Sequence, residues 1–447
     1  MVRFNKEKYL KKLRFKKYKR YLYMGIPCIL VLLIGIYFAY SKFSVSKEED
    51  VVRTTVGDFI YGDIVVGAYI DGEYSKTIPG KNDGYVVDKI VCDTEASASW
   101  NNDSWGIVLT NLTKRTKCNV YFVVKPVPVV EKVTTAMNSN PSMFASDDPG
   151  KNVRYIGANP NNYVYFNCSD YNNPTADTCE LWRIIGVFNN VTKSDGSKEN
   201  LVKIIRADSL GNYSWDSSDS SVNNGFGVND WTDADAMKLL NPGHDSESIG
   251  GSLYYNAKSG TCYYSRDNAT TSCDFTSTGL KNDTTRNAIE EVVWNLGGTN
   301  TYNSASNGLA SHWYGYERGT TVYTGRPTTW TGKIGLMYPS DYGYATSGGT
   351  TKDRAACLAK ELLNWDSSDF SDCKGNDYLF DANNWQLTLA PRSAYDSTVF
   401  IVYGGGLFTD RYVGYAYAVR PVLFLKSNIQ VDKGTGAKST PYQLKMQ

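Results

Sequence analysis

Histidine is almost missing from this chain: its 447 residues hold two, His244 and His312. Both fall in polar, turn-rich stretches and read as surface positions. A Ser-His-Asp set therefore has little material, and no G-x-S-x-G nucleophile turn occurs. Neither C-x-x-C nor H-E-x-x-H is present, so zinc-ligand spacing is missing. Walker-type glycine loops are lacking too. Gly404-Gly405-Gly406 comes after a strand-like run with no lysine or helix start beyond it, which fits a tight turn. Acids are abundant, but their spacing selects no pair for glycoside cleavage. The loops 366–372 and 376–384 offer several oxygen ligands without EF-hand spacing, and read as turn-forming Asp/Asn clusters. The sequence assigns no catalytic residue, no metal site and no cofactor, and an enzyme is the less favoured class.

Positive charge is scarce outside one short stretch. Residues 1–20 hold ten of the 47 Lys and Arg and one of the 46 acids, leaving 37 bases against 45 acids, a net of −8, for residues 21–447. An acidic body on a basic stub is poorly suited to nucleic acid, whose affinity comes from neutralising phosphates. The stub is better explained by its C-terminal neighbour, the run Tyr21 to Tyr40, twenty residues without a charge. At about 1.5 Å per residue, a helix of that length just crosses a ~30 Å hydrocarbon core. The run is longer than a signal-peptide core and no A-x-A site comes after it, so the expectation is a retained single span. The positive-inside bias then puts the N-terminus in the cytoplasm, with the C-terminal ectodomain extracellular at the plasma membrane.

Cysteine usage agrees with export. Outside the apolar run, which holds Cys28, eight cysteines fall into sequence-local couples: Cys92 with Cys118, Cys168 with Cys179, Cys262 with Cys273, and Cys357 with Cys373. Eight cysteines allow on the order of a hundred connectivities, and the local couples are the favoured one. A closed loop of about 15 residues is stabilised by about 3 kcal/mol in the chain-entropy account.

Along the chain, residues 51–124 alternate short apolar runs such as DIVVGAYI, GYVVDKIVC and CNVYFVV with turn signals, and read as a small all-β sandwich. Residues 125–149, opening on Lys125-Pro126-Val127-Pro128, read as a linker. Residues 150–447 read as one larger mixed α+β domain. In it, LWRIIGVF and LVKIIRA look like paired strands, and helices are expected at 232–240, 284–296 and about 352–364. The pentapeptide WDSSD occurs at Trp215 and Trp365, too short a match to establish a repeat.

The sharpest functional candidate lies between Trp385 and Pro421. There Tyr395, Tyr403, Phe408, Arg411, Tyr412, Tyr415 and Tyr417 accompany glycines and small residues. Tyrosine combines a flat apolar ring with a hydroxyl, and with arginine it is the composition of a recognition surface. The competing reading places about half of these rings in the core of two antiparallel strands.

RYIGANPNNYVYFN from Arg154, ELWRIIGV from Glu180, RNAIEEVVWNLGG from Arg286, GKIGLMYPSDYGYAT from Gly332, WQLTLAP from Trp385 and VRPVLFLKSNIQV from Val419 together resemble an uncharacterised family. Its members are membrane-anchored surface proteins of Gram-positive gut bacteria. The preceding stretch from Gly67 resembles the small β domain that often precedes their larger one. A Trp strand, a loop and a terminal V-R-P-x-L strand are also similar to the C-type-lectin-like superfold, which includes the formylglycine-generating enzyme. That resemblance implies a C-type-lectin-like head whose late loops bind a ligand. The expectation is thus a cell-surface adhesin or ligand-recognition head, binding an extracellular protein or glycan non-covalently through residues 395–417. Its alternatives are an extracellular enzyme of the cell wall or of exported proteins, and a structural envelope component.

Overall fold

The computed structural model describes residues 52–54, 64–112, 114–403 and 408–446, which fall into two compact units divided after Val124. In the smaller unit, strands Glu73–Ser75, Ile64–Ile70, Thr116–Val124 and Tyr85–Cys92 form one sheet in that order; Val52–Thr54, Gly106–Thr110 and Ser97–Asn101 form a second. Alternation along Thr116–Val124 buries Thr116, Cys118, Val120 and Phe122, which share a core with Ile107 and Leu109. Cys92 and Cys118 oppose each other across two antiparallel strands and are bonded.

The larger unit is organised by a long antiparallel hairpin, Glu180–Thr192 with Lys198–Arg206. Gly186 lies so close to Val153–Arg154 on the neighbouring strand that a Cβ there would meet the Val153 carbonyl. Val422–Leu425, buried at every position, pairs with Lys198–Arg206 on one side and with Ile289–Glu290 and Ile334–Gly335 on the other. Strands from the two ends of the unit meet: Gln430–Lys433 pairs with Val127–Pro128, and Tyr442–Lys445 runs parallel to Tyr163–Phe166. A separate five-stranded sheet has the order Asn212–Ser214, Ala416–Ala418, Gln386–Pro391, Thr398–Val402, Phe408–Tyr412. Cys168–Cys179, Cys262–Cys273 and Cys357–Cys373 are bonded, completing four sequence-local disulfides.

The fold differs from the expected one in three places. First, no helix among the described residues is long and apolar enough to cross a membrane, the longest being the eleven residues Val129–Ser139; the expected span, Tyr21 to Tyr40, lies outside the described residues.

Second, the expected C-type-lectin-like α+β head is a predominantly β unit with short helices. The helix expected over 284–296 stops at Ala288, and the chain continues as strands Ile289–Glu290 and Val292–Asn295. The helical reading rests on Ala288, Ile289, Val292, Val293 and Leu296 sharing one face. Burial instead alternates through Val292, Trp294 and Leu296, and Trp294 opposes Trp330 on the next strand. Pairing of β-branched and aromatic residues overrides helix periodicity here. The helix expected over 352–364 is reduced to Arg354–Leu358 plus a single turn, Leu362–Asn364.

Third, residues 125–149, expected as a linker, fall within the larger unit, whose core takes in Val129 and Val133 of the Val129–Ser139 helix.

Candidate ligand-recognition surface

The five-stranded sheet positions most of the aromatic residues. Its strands Gln386–Pro391 and Thr398–Val402 are buried along their whole length, so exposed rings can emerge only at their ends. Gln386 opposes Val402 in the pairing, which brings Trp385 and Tyr403 out side by side, with ring centroids 4.1 Å apart. Tyr417, on the neighbouring strand, stacks on Trp385 at 5.6 Å with a 15° tilt. The Arg411 guanidinium lies over the same indole at 5.4 Å.

The row continues from Tyr417 to Tyr415 at 6.4 Å and from Tyr415 to Tyr412 at 6.2 Å. Both of the last two meet Phe226, Tyr412 face to face at 4.0 Å and Tyr415 edge-on at 5.6 Å. Arg266 closes the far end over Phe226 at 5.0 Å. Six rings and two guanidinium groups thus form one connected strip.

Its supports are short-range and specific. The backbone N–H groups of Trp215 and Asp216 both donate to the Val413 carbonyl, and Ser214 Oγ donates to the Gly414 carbonyl. The Asp216 carboxyl accepts from Val228 N–H at 2.7 Å, so the loop bearing Phe226 and the turn between Tyr412 and Tyr415 both hang from Asp216. At Gly414 a Cβ would press on the Phe226 backbone at 3.1 Å, which is why a glycine serves there. The hairpin that carries Arg266 is held by Asp267 N–H to the Gly225 carbonyl and Asn268 N–H to the Ser218 carbonyl.

Tyr395 stands apart from the strip's ring contacts. It is 51% exposed on a loop that Asn229 clamps by donating to the carbonyls of Arg392, Tyr395 and Thr398. Arg392 lies over the Tyr395 ring at 4.3 Å and pairs with Asp410 at 2.7 Å. Of the residues singled out from sequence, Tyr403, Arg411, Tyr412, Tyr415 and Tyr417 are therefore brought together and Tyr395 is not. For Phe408 only the backbone, the first position of its strand, is described, and Gly404 to Gly406 lie outside the described residues. The strip also holds Phe226, Trp385 and Arg266, which were not singled out.

Buried ionisable groups offer a second place to look. Burial pushes Glu317 up to about 7, Asp377 to about 8 and Asp216 to about 7; Asp235 goes to about 8 through burial and the nearness of Asp216. Raised carboxyls in a cleft are candidates for acid–base chemistry. These hold backbone instead. Glu317 accepts from Ser340 N–H and Oγ–H, Asp377 from Leu379 and Phe380 N–H, and Asp235 from Ser217 N–H.

Deeper still, Asp341 is paired with Arg154 at 2.8 Å and with Lys203 at 2.5 Å, all three at most 2% exposed. Burial opposes the charge on Asp341, yet Lys203 and Arg154 hold its carboxyl down at about 2. A groove of about 430 Å³ is lined by Asp245, Lys258, Asp283 and Arg286, among others, and by none of the raised acids. The loops considered for calcium use their acids likewise: Asp372 accepts from Thr351 and Lys352 N–H, and Asp381 from Asn383 N–H. Among the described residues no three His, Cys, Asp or Glu gather as metal ligands.

Compared with known protein families, curated proteins and solved structures, the chain matches none.

Proposed function

We propose that the larger unit is a recognition head that binds a partner outside the cytoplasm non-covalently through the aromatic strip. One observation carries this reading. Among the described residues, the exposed large apolar side chains of that unit are Val222, Tyr264, Tyr395, Tyr412 and Tyr415, and all lie on segments that form the strip or are hydrogen-bonded to those that do. By contrast Trp182, Trp215, Trp231, Trp294, Trp313 and Trp365 are fully buried. Exposed rings on neighbouring segments, on a body that fully buries those six tryptophans, fit a binding role better than scattered exposure does. The four disulfides favour an oxidising, extracytoplasmic setting.

The enzyme alternative is weaker, because the raised carboxyls serve as backbone acceptors and the strip brings no nucleophile or general acid together. A structural role alone would leave the gathered tyrosines without a purpose.

The test is binding of the purified protein to arrays of glycans and of surface proteins. A saturable partner should lose about tenfold or more in affinity on Tyr412→Ala with Tyr415→Ala, as hot-spot aromatics do, while the melting temperature holds. Binding that survives the double substitution would remove the strip from function.

A further inference from the structure

Three arginines lie over rings in or beside the strip, and they differ in one respect. Arg266 is paired with Asp267 at 3.1 Å, and Arg392 with Asp410 at 2.7 Å. Arg411 has no carboxylate partner among the described residues. Its Nη1 donates to the Asp410 carbonyl at 2.8 Å and to Thr409 Oγ at 3.3 Å. Those two bonds fix the orientation of the group. A guanidinium carries five N–H donors, and a carboxylate or sulfate is gripped by two that point the same way. With Nη1 engaged, the Nε–Nη2 edge of Arg411 has no partner among the described residues. A cation is thus held on Trp385 with its bidentate edge uncommitted, in the middle of a row of rings.

We propose that this edge of Arg411 captures the acidic group of a glycan whose sugar rings lie against the neighbouring aromatics, an assignment that rests on the recognition reading above. Local charge complementarity is the first argument, since the neighbouring acid, Asp410, is already neutralised by Arg392 and bonded to the Tyr302 hydroxyl at 2.7 Å. A sugar chain is favoured over an acidic peptide by two further observations. The exposed apolar groups of the unit are four tyrosines and one valine. Flat rings with polar rims suit the C–H faces of sugars, whereas a peptide side chain seeks a packed pocket. The Phe408–Tyr412 strand, though outermost in its sheet, lies close to the Leu362–Asn364 turn, which crowds the edge where an extended peptide would add as a strand.

Residues 21–447 carry a net −8, so polyanions are not drawn to that part by general attraction; residues 1–20, with ten bases against one acid, are the stretch that attracts them without a built site. Binding of an acidic glycan that Arg411→Gln weakens would therefore report a site, whereas binding through the basic stretch would not respond to that substitution.

The experiment measures affinity of the purified protein for chondroitin sulfate and polygalacturonate, with neutral dextran and poly-glutamate as comparisons. The expected result is saturable binding to at least one acidic glycan, with dextran and poly-glutamate at least about tenfold weaker. Arg411→Gln should lower that affinity about tenfold or more, and Arg411→Lys, which keeps the charge but not the fork, should lower it less. Both variants are to be checked for unchanged melting and for an intact far-ultraviolet spectrum. Dextran binding as well as the acidic glycans, or Arg411→Gln leaving affinity unchanged, overturns the capture of an acidic group and leaves the strip reading standing. Preference for poly-glutamate, or a protein partner lost on Tyr412→Ala with no glycan bound, overturns the glycan and also leaves the strip standing. No partner of any kind for the folded protein overturns both.

Discussion

Both units carry a row of aromatic rings beside a cation, and the two rows have different origins. In the smaller unit Tyr74, Tyr69 and Tyr121 succeed one another across three adjacent strands, with Lys89 of a fourth over the last ring. The strand register dictates that order: Tyr69 opposes Tyr74 on one side and Tyr121 on the other, and Lys89 opposes Tyr121. Such a cross-strand ladder stabilises a sheet and needs no other explanation. In the larger unit the register accounts for only part of the strip, setting Trp385 beside Tyr403 and Tyr417. Phe226 reaches it from a loop far back in the chain, Tyr412 and Tyr415 from a turn, and Trp385 and Tyr403 from strand ends. Rings that pairing has to bring together are explained by stability; those brought in by loops and turns are not explained by pairing, and it is on them that the proposed recognition role rests. The edges agree. Tyr85–Cys92, at the rim of the small sheet, is guarded by a register shift at Val87/Lys89 and by charges at Asp88 and Lys89, the usual protection of an edge that should pair with nothing.

Four measurements would break or sharpen this contrast. The largest effect is expected from Asp341→Ala, which leaves Arg154 and Lys203 buried without their shared carboxylate. Removing one partner of a buried ion pair costs about 3–5 kcal/mol. Hydrogen exchange should then lose protection across 125–446 and keep it across 64–124. Uniform loss in both units would mean that they do not fold separately.

Next comes pH. An unfolded aspartate titrates near 3.8, whereas Asp216 and Asp235 titrate at about 7 and about 8 when folded. Between those values the folded chain binds protons that the unfolded chain has released. The stability tied to them is fully present below about pH 4 and is lost as pH rises through 7 and 8. Asp341, held at about 2, has the opposite sign, and its contribution is lost only as pH falls through that value. The larger unit should therefore melt higher at pH 5 than at pH 8, and Asp216→Asn should flatten that slope. Because Asp216 supports the loop of Phe226 and the turn of Tyr412, ligand affinity should weaken over the same interval.

The direct comparison pairs two tyrosines. Tyr69→Ala in the ladder should cost about 1 kcal/mol of stability, the scale of a cross-strand aromatic contact, and leave binding unchanged. Tyr412→Ala, 42% exposed, should cost at most about 0.5 kcal/mol of stability and most of the binding. If both lose stability alike, the strip is a second ladder.

How much of this was legible in the sequence depends on the range of the contact. Alternation placed the Thr116–Val124 and Tyr85–Cys92 strands, and the apolar runs placed the hairpin of Glu180–Thr192 with Lys198–Arg206, because a strand's own period carries that information. It misassigned 289–295, where the deciding contact is with Trp330, over thirty residues further on. The tyrosines of 403–417 were visible as a local excess of rings. Phe226 and Arg266 were not: Phe226 belongs through contacts with a turn nearly two hundred residues later and Arg266 only through its place over Phe226, and a lone phenylalanine among Ser, Asp, Asn and Gly gives no sign of it. Trp385 was seen only as the start of a strand; its role comes from the pairing of Gln386 with Val402.

The meeting of the larger unit's two ends bears on the order of its birth. Val127–Pro128 finds its partner only in Gln430–Lys433, and one side of Tyr163–Phe166 only in Tyr442–Lys445. A ribosome or export channel releases the first of each pair when nearly the whole unit has still to emerge. Those strands must wait for their late partners, Tyr163–Phe166 on one side only since Glu180–Thr192 pairs with the other, and closure of the sheet is then a late event with slow, long-range pairing. A chain cut between Val419 and Ile429 would carry every ring of the strip and still leave those early strands without their late partners.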